Sequence, residues 1–209
     1  PAGVDSDMGI LQITAFIVIV ITSMIILVFR DWRVNTAALG LQYLAAFYLV
    51  SLSWPIGMAL VKWIVGWMAT AAIALTCLRQ TPSTESNEAS TALLFRGIAG
   101  LVVILVIFVL SPTLGENVFP NVDIQIIQGG VMLMGMALMQ LGTHAIPYLT
   151  IVSLLSFLSG FEVIHSALEQ STLLTGLLVV VNLGLALVGV YFITQSGDSE
   201  NQRQEEGEE

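Results

Sequence analysis

Residues 148–167, YLTIVSLLSFLSGFEVIHSA, decide the fold class of this chain. The stretch is apolar over a length that crosses about 30 Å of hydrocarbon as an α-helix. Well inside it lies one carboxylate, Glu162. Ionisable groups are costly in a bilayer, roughly 2.5–3.5 kcal/mol for Asp, Lys or Arg at a helix centre on insertion scales. We therefore interpret the stretch as a transmembrane helix and Glu162 as a candidate functional residue.

Six more apolar runs accompany this one. The chain has 209 residues, of which 56% are hydrophobic and 10% charged, a composition too apolar for a soluble domain of this length. The runs are continuous rather than alternating, which favours helices over a barrel, since lipid offers no water to backbone polar groups. The sequence predicts an all-α integral membrane protein with seven transmembrane helices, at about 9–29, 36–54, 56–78, 92–111, 124–143, 148–167 and 172–194.

Polar or proline-containing connectors separate these runs. They include the charged segment 30–33, the turn Trp54-Pro55, the polar loop 80–90, the segment between Pro112 and Pro120, and Pro147 at the start of the sixth run. We divide the chain into a four-span region, 1–123, a three-span region, 124–195, and a tail, 196–209. Six of the fifteen acids lie in the last twelve residues, so the formal charge of −9 belongs mostly to the tail, which we expect to be solvated and disordered.

The distribution of basic residues predicts the orientation. Cytoplasmic loops of membrane proteins collect Lys and Arg. With seven spans and the N-terminus outside, every arginine of the chain falls at or near the cytoplasmic side, together with His144, and the outside segments contain neither Lys nor Arg. The N-terminal residues also lack the basic region of a cleaved signal peptide, so we expect the first run to remain as a membrane anchor. The prediction is an outside N-terminus and a cytoplasmic C-terminus. The arginines are Arg30, Arg33, Arg79, Arg96 and Arg203.

Lys62 is the one basic residue within a predicted span. It lies about a third of the way along span three, close to Trp63 and Trp67. Its long stem could carry the ammonium group to the outer interface, where tryptophans anchor helices. Alternatively, it faces the bundle interior and takes part in proton transfer. The sequence leaves both alternatives open.

Glu162 shares a helix face with other polar residues. Ser159, Glu162, His165 and Ser166 are spaced by three and four, so their side chains lie together on a helix. A carboxylate and an imidazole one turn apart can exchange a proton. The alternative is a protonated acid that hydrogen-bonds between helices, with His165 near the outer surface. The small pair Ser156-x-x-x-Gly160 predicts that a neighbouring helix approaches closely here.

The other polar residues within spans are more typical of packing. Asn182, in the middle of span seven, is expected to hydrogen-bond to an adjacent helix, as are Gln128 and Gln140 of span five. The methionines of span five do not gather on one face with His or Cys, which argues against a metal site. Cys77 is the single cysteine and is expected to be a buried apolar side chain. Phosphate-loop, CxxC and HExxH motifs are missing, as is a basic patch, so we expect no cofactor, no metal, no catalytic residue and no nucleic acid.

Two motifs in the last three spans point to a family. Gly160-Phe-Glu162-Val-Ile164 is similar to a Gly-Leu-Glu-Ile/Val motif, and Asn182-Leu-Gly-Leu-Ala-Leu187 is similar to an acid followed by apolar-Gly-Leu-Ala-Leu, with Asn in place of the acid. Both patterns belong to the small three-span K-type subunit of complex I, the proton-pumping NADH:quinone oxidoreductase, which residues 128–193 resemble. The whole chain, with four preceding spans and a lysine in the third, resembles the longer K-related membrane subunits of energy-converting hydrogenases and formate hydrogenlyase.

This resemblance implies a non-catalytic subunit in a lateral proton path that links a redox module to antiporter-like large subunits. It implies an energy-transducing membrane, such as the bacterial cytoplasmic membrane, and other membrane subunits as partners. Glu162 would be the key acid of a proton relay, assisted by His165, Lys62 and Asn182. Because Asn182 replaces an acid, one relay step is lost, or water and Lys62 replace it, or the subunit only seals and couples.

Two other functions remain open from the sequence. The chain could be a structural or assembly subunit of another membrane complex, with its polar residues serving helix packing, or a subunit of a cation/proton antiporter. A self-contained transporter is less favoured, because we find neither an inverted repeat nor a pair of broken helices.

Overall fold

The computed structural model describes residues 2–80, 90–143, 146–169 and 171–207, and side chains within 9–79, 91–143, 146–169 and 171–197. These residues form seven α-helices, each with a segment long and apolar enough to cross a membrane. These helices confirm the prediction of an all-α membrane protein with seven segments that can span the bilayer. The helices are α1 (Ala2–Val28), α2 (Trp32–Ser53), α3 (Ile56–Gln80), α4 (Ser90–Asn117), α5 (Ile124–Thr143), α6 (Pro147–Leu168) and α7 (Thr172–Gly207).

Local chemistry sets several helix ends. The Asp31 side chain accepts a hydrogen bond from the Arg33 backbone N–H at 2.9 Å and caps α2, and Asp123 accepts from the Gln125 N–H at 3.0 Å at the start of α5. Trp54 ends α2 in an extended conformation before Pro55, as the sequence predicted. Pro147 occupies the first turn of α6, where its missing N–H costs no hydrogen bond.

Two boundaries differ from the predictions. Pro112 lies inside α4, which continues to Asn117, so it does not open the connector. A proline inside a helix lacks the N–H that would bond to the carbonyl four residues earlier, here that of Phe108, a loss that membrane helices tolerate. The backbone of α7 continues to Gly207, beyond the end of the seventh run predicted near residue 194. Proline is absent from this segment, and its Gln and Glu residues favour helix. Residues 81–89 of the predicted polar loop, and His144, lie outside the described residues.

The helices pack in two rows. Helices α1, α2 and α3 lie side by side, and α5, α6 and α7 form a second row in the same order, so that α1 faces α5, α2 faces α6 and α3 faces α7. Helix α4 packs beside α1 and α5 and exposes most of its apolar side chains. Helix α6, at the middle of the second row, therefore contacts α5, α7 and α2.

A close crossing fixes α6 against α5. A Cβ atom at Gly160 would lie only 2.7 Å from the Gly130 carbonyl oxygen and 2.9 Å from the Met134 backbone nitrogen, distances that real Cβ atoms do not adopt. The two backbones therefore meet where both residues lack side chains. This confirms the predicted close approach at Gly160 and shows Gly130 as its partner on α5.

The core contains the side chains that we expected to pack. Met132, Met136 and Cys77 are buried among apolar residues. Gln140 is also buried, and its amide donates to the Ser23 carbonyl at 3.2 Å. These residues therefore serve helix packing, as the sequence indicated.

Candidate functional site

Glu162 lies against a small cavity between α2, α3 and α6. The cavity volume is about 10 Å³, and four of its lining residues are polar: Tyr43, Lys62, Ser159 and Glu162. Apolar residues of the same three helices complete the wall. A space of this size holds about one water molecule. The predicted acid and the predicted lysine thus face one compartment, although 99 residues separate them in the sequence.

The crossing of α6 and α5 explains where Glu162 points. Residues two apart on an α-helix are rotated by about 200°, so they lie on nearly opposite faces. Because Gly160 is pressed against α5, Glu162 is directed away from α5 and towards α2 and α3. Its side chain is only 6% exposed, so the carboxyl group belongs to the bundle interior.

Lys62 faces the interior rather than the lipid. Its side chain is 5% exposed, and its Nζ lies 4.8 Å from the centroid of the Trp54 ring, a cation–π geometry. Among the described residues, Nζ has no hydrogen-bond partner. Lys62 comes six residues after the start of α3 and Glu162 six residues before the end of α6, each roughly 9 Å from the helix end. The lysine and the acid therefore lie at similar depth.

His165 is buried beside the cavity but does not line it. Its ring stacks on Phe161, with centroids 6.0 Å apart and an interplanar angle of 27°. Neither ring nitrogen has a hydrogen-bond partner among the described residues. The structure therefore places His165 one turn from Glu162, as the spacing predicted, without a hydrogen bond between the two side chains.

Asn182 is connected to the cavity through Tyr43. The Tyr43 hydroxyl donates to Asn182 Oδ1 at 3.1 Å, which joins α2 to α7. The tyrosine ring passes directly over Gly66 of α3, where a Cβ atom would overlap the ring. Asn182 is 1% exposed. The expected hydrogen bond of Asn182 to another helix is thus present, and its partner is a residue that lines the Glu162 cavity.

A separate polar network holds α1, α2, α5 and α6 together. Gln42 donates to the Ser23 hydroxyl at 2.9 Å and accepts from the Ser156 hydroxyl at 2.8 Å. Ser153 donates to Gln140 Oε1 at 3.2 Å. All five side chains are buried. This network satisfies amide and hydroxyl groups with one another, which is typical of helix packing in membranes.

Tyr43 is the site residue that sequence reasoning missed. Gln42 and Tyr43 form a polar pair in the middle of an otherwise apolar span, and this signal could have identified α2 as a helix that faces polar partners. Trp54 was recognised only as a turn residue, although its ring faces the lysine ammonium. Both contacts depend on how the helices are rotated against one another. The spacing of residues within one helix does not predict this rotation.

The arrangement is suited to proton exchange between a buried acid and its surroundings. Glu162 and Lys62 carry opposite charges when ionised, and one water molecule in the cavity would connect them. Within the described ranges, His, Cys, Asp and Glu side chains form no group of three that could hold a metal ion.

Comparison of the chain with protein-family models, with curated proteins and with solved structures finds no significant match.

Proposed function

We propose that this chain is a non-catalytic membrane subunit of a complex-I-like or energy-converting-hydrogenase-like assembly, and that it takes part in proton translocation through Glu162. Its partners would be other membrane subunits, among them an antiporter-like large subunit, in an energy-transducing membrane such as the bacterial cytoplasmic membrane. The N-terminus would lie outside and the C-terminus in the cytoplasm.

One observation carries this proposal: a carboxyl group inside an apolar helix faces a lysine at similar depth across a cavity of about 10 Å³. A fold that only packs helices gains little from such a pair, because burial of charged groups opposes folding unless they are closely paired. An acid that alternates between protonated and ionised states needs a nearby countercharge and water, and Lys62 and the cavity support this role. The motif around Glu162 supports the same role.

A carboxyl-to-amide substitution tests the role of Glu162. In vesicles that contain the purified complex, we expect Glu162→Gln to abolish coupled proton movement, measured with a pH-sensitive dye, while the complex still assembles. Gln has nearly the same size and removes only the titrating proton. Glu169→Gln is the matched control, since Glu169 is an exposed acid just beyond the end of the same helix. It should pump at the wild-type rate.

The main alternative is a structural or assembly subunit. The network around Gln42, in which buried amides and hydroxyls bond to one another, favours it. Under this alternative, Glu162→Gln would leave proton movement unchanged. Copurification of the chain separates the functions further: an antiporter-like subunit among the partners supports proton translocation, whereas a monomer or homo-oligomer argues against the assembly that we propose.

A further inference from the structure

Two residues that line the Glu162 cavity carry buried hydrogen-bond donors for which the described part of the chain supplies no acceptor. Lys62 Nζ and Trp63 Nε1 are buried, belong to residues that line the cavity, and have no hydrogen-bond partner among the described residues. A buried donor left unpaired loses the hydrogen bond that it makes to water in the unfolded chain, which opposes folding. The oxygen of a water molecule accepts two hydrogen bonds, and the volume of about 10 Å³ holds about one such molecule.

The orientation of the Tyr43 hydroxyl determines whether it donates or accepts a hydrogen bond in the cavity. A tyrosine hydroxyl has one O–H to donate and lone pairs to accept. The O–H of Tyr43 is directed to Asn182 Oδ1, at 3.1 Å. Towards any other group Tyr43 can therefore only accept. Glu162 lines the same cavity as Tyr43.

We propose that the cavity binds one water molecule, which accepts a hydrogen bond from Lys62 and donates to Glu162 and to the Tyr43 oxygen, and that Asn182 is a positioning residue that holds Tyr43 as an acceptor. This deepens the proposed function and rests on Glu162 as the exchanging acid. Asn182, which stands in place of the expected acid on α7, would then orient the water through Tyr43 and would not need to carry a proton.

Infrared difference spectroscopy of the full chain in lipid vesicles tests this water site. Acid-minus-neutral spectra in H₂O and in ¹⁸O-labelled water identify the O–H stretching band of an internal water by its isotope shift. We expect one such band in the wild type and its loss in Glu162→Gln. Ala46→Val places a methyl group beside the cavity, which Ala46 lines, and should also remove the band. Ala45→Val, at a neighbouring buried position that does not line the cavity, should retain it.

Two substitutions at Asn182 distinguish positioning from packing. Leu has a similar shape without an acceptor, whereas Asp keeps the Oδ1 acceptor. If Asn182 orients the water through Tyr43, Asn182→Leu and Tyr43→Phe shift the band and Asn182→Asp leaves it in place. If Asn182 only packs, Asn182→Leu leaves the band in place and Asn182→Asp shifts it, because an apolar Leu is tolerated in a membrane helix and an acid is not.

The water site is refuted if the carboxyl C=O band of Glu162 titrates in the wild type without an isotope-sensitive water band, or if the water band persists unchanged in Ala46→Val. The positioning role is refuted if the band is unchanged in Asn182→Leu, whether or not it shifts in Tyr43→Phe. These readouts do not depend on proton transport. If vesicles with Glu162→Gln still pump protons, the proposed function fails while the band continues to report on the water site.

Discussion

The position of the Tyr43 side chain depends on the lack of a side chain at Gly66. Its ring occupies the space above Gly66, and in this position its hydroxyl donates to Asn182. Helices α2 and α7 are not direct neighbours, since each packs on α3 and α6. The hydrogen bond therefore joins two helices that do not pack on each other, and Gly66 leaves the space that the Tyr43 ring occupies.

Gly66→Ala tests this dependence. The added methyl group would overlap the Tyr43 ring, and overpacking of this kind destabilises by about 1–3 kcal/mol. We expect a lower thermal unfolding midpoint in detergent and a shifted water band in the infrared spectrum. Gly184→Ala in α7 is the control, because nothing lies within 4 Å of the position that a Cβ would take there. It should match or exceed the wild-type midpoint, since Ala favours helix over Gly. Equal midpoints for the two variants would contradict the proposed contact.

Sequence reasoning identified the residues of the site better than their partners. The burial of Glu162 followed from hydropathy, because a long apolar run on both sides leaves an acid no route to water. The side chain that faces it could not be predicted, because the interior position of Lys62 depends on the rotation of α3 against α2 and α6. For the same reason, the hydrogen bond from Tyr43 to Asn182 was not foreseen.

At the scale of elements, the crossing of α5 and α6 at Gly130 and Gly160 sets the direction of the site. It brings the two backbones into contact and thereby turns the opposite face of α6, which bears Glu162, towards α2 and α3. A larger side chain at the crossing would separate the helices and also displace the acid.

Gly160→Leu is expected to disrupt this crossing. No rotamer of Leu avoids the Gly130 carbonyl and the Met134 nitrogen, because the conflict begins at Cβ. We predict little folded protein in the membrane, as measured by size-exclusion chromatography of the detergent extract. Gly176→Leu is the matched control: it lies on α7 at an exposed position with nothing within 4 Å of a Cβ. Normal elution of Gly160→Leu would show that the crossing is less tight than described.

At the scale of the whole molecule, hydropathy was sufficient for the number of helices, because each span is long and continuous. It was less reliable at the ends. Helix α2 begins at Trp32, four residues before the predicted run, because Asp31 caps it, and α4 passes through Pro112. Hydropathy measures transfer to lipid, whereas a helix end depends on caps and backbone hydrogen bonds.

The predicted orientation can be tested by cysteine labelling in a Cys77→Ser background, since Cys77 is the single native cysteine. Asn121→Cys lies between α4 and α5, and Phe29→Cys lies between α1 and α2; both positions are exposed. With the N-terminus outside, a membrane-impermeant maleimide added to intact cells should label Asn121→Cys only. Phe29→Cys should react only after permeabilisation. The reverse pattern would invert the orientation, and labelling of both in intact cells would contradict the count of spans between them.

The shared depth of Lys62 and Glu162 has an electrical consequence. Both lie roughly 9 Å from the same end of the bundle, within about 30 Å of hydrocarbon. A proton that reaches Glu162 from that end crosses about a third of the membrane potential, equivalent to about 0.7 kcal/mol per 100 mV, and the remaining two thirds lie on the other side. Membrane voltage would therefore act unequally on the two halves of a proton's passage, and the longer half would be the more voltage-dependent one.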